Sequence, residues 1–188
     1  MDYPHYNIGA NLDITTYLPG VKSQKLTFSF AVTYAVSFIM NRIEAFRYRI
    51  HGDQVVLHET VHPAFSYLAP GEENFKMVTA EMTDDLILFV QQARDKALNQ
   101  KKSFAFEDVQ GRDDLIYISS IPWVSFTHLS HTISFNKSDA VPRLSWGNYY
   151  EDNNKILLPF NVQAHHSFVD GNHMGEFFNG LQEYFDSL

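Results

Sequence analysis

The sequence predicts a mixed α/β or α+β domain, and three observations carry that expectation. Strand-like and helix-like segments alternate along the chain with no internal repeat. The 188 residues are 45% hydrophobic and 15% aromatic, enough for one substantial core and too few to make two domains expected, so residues 1–188 are read as a single domain. Charged residues make up only 19%, and nine Gly with seven Pro occur without any low-complexity tract, which excludes disordered and collagen-like architectures.

Each element follows from local pattern. Asn7 to Thr15 alternates as an early strand. Leu18-Pro19-Gly20 breaks the chain, and Ser23 then caps a helix running to about Ile43, apolar on most faces and therefore central. Its most apolar part, Leu26 to Met40, is interrupted by Thr27, Ser29, Thr33 and Ser37 and falls short of the roughly 20 residues that span a bilayer. Phe46 to Ile50 and Val55 to His58 are β-rich runs flanking His51-Gly52-Asp53-Gln54, a hairpin signal. Pro63 to Pro70 reads as irregular or edge-like, and Pro70-Gly71 as a turn. Thr83-Asp84-Asp85 supplies a cap and an acidic first turn for an amphipathic, peripheral helix ending near Gln100, with Lys96, Lys101 and Lys102 at the negative end of its dipole.

Leu115 to Ser120 is a strand stopped by Pro122, and a further β-rich stretch is expected from Phe126 to Phe135. Lys155 to His165 is a buried strand in which Pro159 signals an edge or a bulge. After Asp170-Gly171 a last helix, about Met174 to Phe185, gathers Phe177, Phe178, Leu181, Tyr184 and Phe185 largely on one face.

Fourteen Lys and Arg against 22 Asp and Glu leave a formal charge of −8, the wrong sign for a protein that neutralises a phosphate backbone, so nucleic acid is not an expected partner. With no cysteine there is no disulfide framework, thiolate nucleophile or thiolate metal site. MDYPHYNIGANLD lacks the basic start and apolar run of a signal peptide, which favours the cytoplasm, and no membrane partner is expected.

The strongest chemical signal is Gln163-Ala164-His165-His166-Ser167-Phe168-Val169-Asp170-Gly171. An apolar strand ends in two histidines, and an Asp-Gly turn then opens a helix. A strand end is a rigid mount, and imidazole titrates near neutrality, so one histidine suits the task of taking a proton from a hydroxyl. Successive strand residues face opposite ways, so only one of the pair points into a given pocket. A metal centre is not expected. His165, Asp170 and His173 do not have zinc spacing, and His128 and His131 at i, i+3 lie in a β or loop region. His51, His58 and His62 read as surface or loop residues without a special role.

QAHHSFVDG resembles the QVHHxxxDG signature of the chloramphenicol acetyltransferase family, trimeric acetyl-CoA-dependent O-acetyltransferases, and ISSIPWVSF from Ile118 to Phe126 resembles its second landmark, a strand with Ser followed by Pro-Trp. LDITT, KLTFSFAVTYAV, LPFNVQ and FNGLQEYF fit the same order, so the resemblance covers nearly the whole chain. It implies a two-layer α/β sandwich of mixed β-sheet and helices. It also implies direct attack of an acceptor hydroxyl on the acetyl thioester, with chloramphenicol as acceptor and antibiotic resistance as the consequence.

Carried onto matching positions, the resemblance makes His166 the general base and Ser119 the donor to the oxyanion of the tetrahedral intermediate. Asp170 becomes structural support in a salt bridge. Lys25, Trp123, Ser145 and Tyr149 fall at the acetyl-CoA channel, and Tyr6, Phe75, Phe106, Phe126 and Leu129 at the acceptor pocket. No metal is implied. The expected assembly is a homotrimer with the site between subunits. Compared with the family the chain begins late, and it is expected to lack the segment whose Arg pairs with the motif Asp. His5 and Tyr6 stand in the pocket wall, and Asn148 stands where the family often has a basic residue near CoA. The alternatives are an O-acetyltransferase of another small hydroxyl compound and a catalytically silent trimeric binding protein.

Overall fold

The computed structural model describes residues 3–132 and 137–188, and the side chain of Phe106 lies outside that description. Among the described residues, nine strands and four α-helices follow one another as β1 (His5–Asp13), α1 (Tyr17–Ser23), α2 (Phe28–Arg42), β2 (Tyr48–His51), β3 (Gln54–Leu57), β4 (His62–Tyr67), β5 (Lys76–Thr79), α3 (Leu86–Asn99), β6 (Leu115–Ile121), β7 (Arg143–Gly147), β8 (Tyr150–Asp152), β9 (Lys155–His165) and α4 (Gly171–Asp186). Seven strands form one sheet in the order β1-β9-β7-β6-β4-β5, with β8 also paired to β9, and β2-β3 is a separate hairpin. β6 runs parallel to β4 and β7, and the other pairs are antiparallel. This is the mixed-sheet and helix sandwich that the family resemblance implies.

Alternation along the strands divides the sheet into two chemically different faces. Ile116, Ile118, Leu144, Trp146, Phe160 and Val162 lie in the main core, together with buried side chains of α2, α3 and α4. The intervening residues Tyr117, Ser119, Ser145, Asn161, Gln163 and His165 therefore face away from the helices. Helix α2 is buried on most of its surface, as its apolar run predicts, and α3 buries only Phe89, Val90, Ala93 and Ala97.

Several boundaries differ from expectation. Pro19 and Gly20 do not break the chain but sit inside α1, where Pro19 occupies the first turn and its missing N–H has no helical partner to lose. The α1–α2 junction is instead made by Lys25, which takes a left-handed φ of 56° while Leu26 N donates to Val21 O and Lys25 N to Lys22 O. Pro63 lies in a central strand. His62 N donates to Asp114 O beside β6, so the next ring nitrogen along faces the other side, beyond Thr79 where β5 has ended. Pro159 is central for a related reason. Its nitrogen faces the gap between Phe160, opposite Trp146 of β7, and Leu157, opposite Tyr150 of β8.

The strand expected from Phe126 to Phe135 is absent through residue 132, and its last residues, Ile133 to Phe135, lie outside the described residues. The described residues on either side, Leu129 and His131 before and Lys137 and Asp139 after, lie on the helix-free face of the sheet and are held there by side chains. Asn7 Nδ2 and Asn161 Nδ2 donate to Leu129 O at 2.6 and 2.5 Å. His131 N donates to Gln163 Oε1 at 2.9 Å, His165 Nε2 to Lys137 O at 2.9 Å, and His5 Nε2 to Asp139 O at 2.7 Å. Gly9 stands opposite Asn161 because a Cβ there would lie 2.7 Å from Asn161 Oδ1.

The β2-β3 hairpin is fastened by Arg49, which is 1% exposed. Its guanidinium donates to four carbonyls, those of Phe46, Tyr48, Asp113 and Leu115, at 2.6–2.9 Å. Replacement by an apolar side chain leaves those acceptors without donors. Arg49→Met is therefore expected to lower the unfolding free energy by about 3–5 kcal/mol, read from urea denaturation. A change of under about 1 kcal/mol would show that the carbonyls find other donors.

Candidate active site

The two motif histidines have separate tasks because β9 ends between them. His165 is 4% exposed, and both ring nitrogens are engaged: Nε2 donates to Lys137 O, and Nδ1 accepts from Ser167 N at 3.3 Å. Burial pushes its pKa down and keeps the ring neutral. His166 lies in the following turn and is exposed, its main-chain N–H donating to Pro4 O at 2.7 Å. Its Nδ1 is 3.1 Å from Val169 O. A carbonyl can only accept, so Nδ1 carries the proton and the lone pair is left on Nε2. The ring also packs on Tyr6, with centroids 4.5 Å apart. Burial, followed by the nearby charge of Asp170, raises the Tyr6 pKa and keeps its phenol neutral.

Among the described residues Asp170 pairs with no arginine, and its ionic neighbour is His173, with Nδ1 2.9 Å from Oδ1. The Asp170 carboxylate caps α4, accepting from Asn172 N at 2.9 Å and His173 N at 3.1 Å, while His173 Nδ1 accepts from Asp170 N at 3.1 Å. The His173 amide is the main cause that lowers the Asp170 pKa.

Ser119 lies near the end of β6, half-buried, in a cleft of about 410 Å³ that also contains Phe75, Trp123, Leu129 and His131. Phe104, which the sequence reading did not single out, joins this wall through a ring contact with Phe75 at 5.7 Å. An adjoining cleft of about 600 Å³ shares Ser66, Leu68, Ser120 and Pro122 and is lined further on by Tyr149, Ser29 and Arg94. Arg94 was also missed, since an arginine on the exposed side of an amphipathic helix reads as a solvated charge until its place beside a cleft is seen.

Four expectations change in geometry. Trp123 is 71% exposed and lies in the Ser119 cleft rather than in the adjoining one. Ser145 is fully buried, its Oγ 2.8 Å from His131 Nε2, so it supports the segment over the sheet instead of lining a channel. Phe126 lies in a separate groove with Tyr150 and Pro159, its ring close to Gly147. Phe106 opens the short 3-10 turn Phe106–Asp108, and its side chain lies outside the described part. Lys25 is exposed at the α1–α2 junction, two residues before Thr27 at the rim of the larger cleft.

Ser119 and His166 are not brought together within one chain. Ser119 pairs with Ser145 and Ser145 with Asn161, so two strand spacings and five residues along β9 separate them by roughly 19 Å. They also belong to opposite faces of the sheet, since His166 packs on Tyr6, a neighbour of the helix-side core.

The sequence model of chloramphenicol acetyltransferase matches residues 3–182. The chain belongs to the chloramphenicol acetyltransferase family. It is therefore an acyltransferase, as the landmarks at Ser119 and His166 imply. A chloramphenicol acetyltransferase of Klebsiella sp. is 29% identical over 181 residues, covering 96% of this chain and 83% of that protein. One of Clostridium perfringens is 29% identical over 180 residues, covering 95% and 82%. A solved chloramphenicol acetyltransferase superposes with a TM-score of 0.89 at 25% identity, covering 98% of this chain and 89% of the other. The dihydrolipoamide acetyltransferase of Azotobacter vinelandii shares the fold, with a TM-score of 0.77 at 17% identity over 97% of this chain and 81% of that one.

Burial lowers the pKa of His131 and His165 below the free value of 6.5, so the unfolded chain binds protons before the folded one does. Their stabilisation is complete above about pH 6.5 and is lost as pH falls from there through the depressed folded values. Urea midpoints measured from pH 7.5 to 5 are expected to fall on acidification, and less steeply in His165→Gln. An equal slope in that variant would remove His165 from the effect.

Proposed function

We propose that the chain is a homotrimeric chloramphenicol O-acetyltransferase, with acetyl-CoA as acetyl donor and resistance to the antibiotic as the consequence. The observation that carries the mechanism is the His166 ring, whose Nδ1 proton is committed to Val169 O so that Nε2 is free to act as base. His166 Nε2 takes the proton of the acceptor hydroxyl as that oxygen bonds to the thioester carbonyl carbon. Ser119 donates its hydroxyl to the resulting oxyanion, a charge that exists only on the way to the transition state. As the carbon–sulfur bond breaks, the proton held on His166 passes to the departing thiolate. No acyl-enzyme is needed, in keeping with a chain that has no cysteine.

The separation of Ser119 from His166 supports a site completed by a second copy, His166 of one protomer facing the Ser119 cleft of another. A solved neighbour that shares this fold with a TM-score of 0.76 is the cubic core of a pyruvate dehydrogenase complex, and its symmetric assembly supports the reading. The Ser119 cleft, walled by Phe75, Leu129 and Phe104, suits an aromatic acceptor. The larger cleft combines apolar walls with Arg94, and Lys25 stands nearby, a composition suited to the chain and phosphates of CoA against a background charge of −8. No helix among the described residues is long and apolar enough to cross a membrane, and action in the cytoplasm fits that reading.

Release of CoA thiol from acetyl-CoA in the presence of chloramphenicol tests the proposal, because the protein has no thiol of its own. His166→Ala is expected to lower kcat by about 10²–10⁴-fold, and Ser119→Ala by about 10–10³-fold. Turnover that survives His166→Ala, or a preparation inactive towards chloramphenicol and a panel of other hydroxyl compounds, would sink the enzymatic reading. Comparing kcat/KM across that panel identifies the acceptor. Lys25→Gly separates binding from folding at one residue. It relieves a left-handed backbone and is expected to raise stability by about 1 kcal/mol while raising the KM for acetyl-CoA. An unchanged KM would take Lys25 out of the cofactor site.

A further inference from the structure

The β2-β3 hairpin gathers two histidines that sequence spacing did not connect. Antiparallel pairing sets Arg49 opposite Val56 and His51 opposite Gln54, so Arg49, His51, Val56 and His58 share one face. Against that face lies Asp113, two residues before β6. Its backbone is fixed by Arg49 Nε, which donates to Asp113 O at 2.6 Å. The carboxylate is thereby set between the two imidazoles, His51 Nε2 at 2.6 Å from Oδ2 and His58 Nε2 at 3.0 Å from Oδ1. One ligand atom from each of the three residues lies within 4.8 Å of the others.

We infer that His51, His58 and Asp113 form a site for one divalent transition-metal ion of the zinc type, which clamps the hairpin to the entrance of β6. Two imidazoles and a carboxylate are a nitrogen and oxygen set typical of zinc, cobalt and nickel. Ligand atoms held at roughly 2.0–2.1 Å from a tetrahedral ion stand about 3.3 Å apart, so small side-chain adjustments bring these three into place. Each imidazole turns Nε2 towards the carboxylate. An imidazole binds the ion as the neutral Nδ1–H tautomer, with the Nε2 lone pair turned to the metal and any proton on Nε2 given up to solvent or to Nδ1. Arg49 supplies the fixed frame, because its four carbonyl bonds hold the hairpin and the Asp113 main chain in one register before any ion arrives. Partial exposure of His51 and Asp113 gives an entry path and leaves the fourth position to water. The site lies at the opposite end of β6 from Ser119, so its role is to hold structure and not to take part in acetyl transfer.

The test uses the full chain after chelator treatment, titrated with ZnCl2 by calorimetry and with CoCl2 by visible absorption. The expected result is one ion bound per chain, a tetrahedral-type cobalt spectrum, and a rise in Tm with zinc. His51→Gln and Asp113→Asn are each expected to weaken zinc binding by at least about 100-fold, while His128→Gln leaves it unchanged. In the unaltered chain, zinc should shift the imidazole NMR signals of two of the nine histidines, a readout that does not depend on how a variant folds. Binding only at millimolar zinc, binding retained in His51→Gln, or shifts spread over other histidines would overturn the site.

Discussion

The positions of the candidate catalytic groups depend on a row of polar side chains on the helix-free face of the sheet: His5, Asn7, Asn161, Gln163 and His165. A segment without secondary structure normally runs over the surface, because its buried carbonyls and amides would otherwise lack partners. Between β6 and β7 the partners are provided by β1 and β9. The Leu129 carbonyl accepts from Asn7 and Asn161, and the His131 amide donates to Gln163. Leu129 and His131 are both walls of the Ser119 cleft. The same two strands carry Tyr6 and lead into His166. One pair of strands therefore sets the wall of the Ser119 cleft on one face and the base on the other.

That division explains why a sandwich with one helical layer is sufficient. The helix side excludes water by apolar packing, with Phe160, Phe177 and their neighbours wholly buried. The other side excludes it with directed hydrogen bonds, which fix geometry more sharply than packing but require every donor to be matched. Asn161 shows the limit of that matching: its Nδ2 serves Asn7 and Leu129, while its Oδ1 is buried without a hydrogen-bond partner against Gly9. Only a glycine leaves room for that oxygen.

Most of the helical layer was legible in the sequence, because α2, α3 and α4 are written in apolar periodicity and Thr83-Asp84-Asp85 marks the start of α3. Ser23, read as the cap of α2, is instead the last residue of α1, and α2 starts at Phe28. The hairpin was legible through Gly52-Asp53, and β9 was found with its boundaries despite Pro159. What could not be read was register. Whether Pro63 faces an open or an occupied side, whether Ser145 is buried, and whether Phe126 joins the cleft depend on which strand lies alongside and where it ends. β7 is five residues long and β8 three, too short for alternation to identify them, and both draw their order from β9. The meeting of His51 and His58 with Asp113 has the same origin, since two of the three share a hairpin face and the third arrives from a loop far along the chain.

The spacing of the histidine motif has a physical account in the turn that follows β9. His165 O accepts from both Phe168 N and Val169 N at 3.1 Å, which folds the chain back on itself within one turn. This brings the Val169 carbonyl to the His166 ring while the Val169 side chain is buried. Asp170 then caps α4, which begins at Gly171. The first histidine is held neutral and buried by the segment it anchors, and the second is left exposed with its proton placed on Nδ1. The doublet thus combines an anchor and a base, and the turn closed by the His165 carbonyl is what lets adjacent residues serve both.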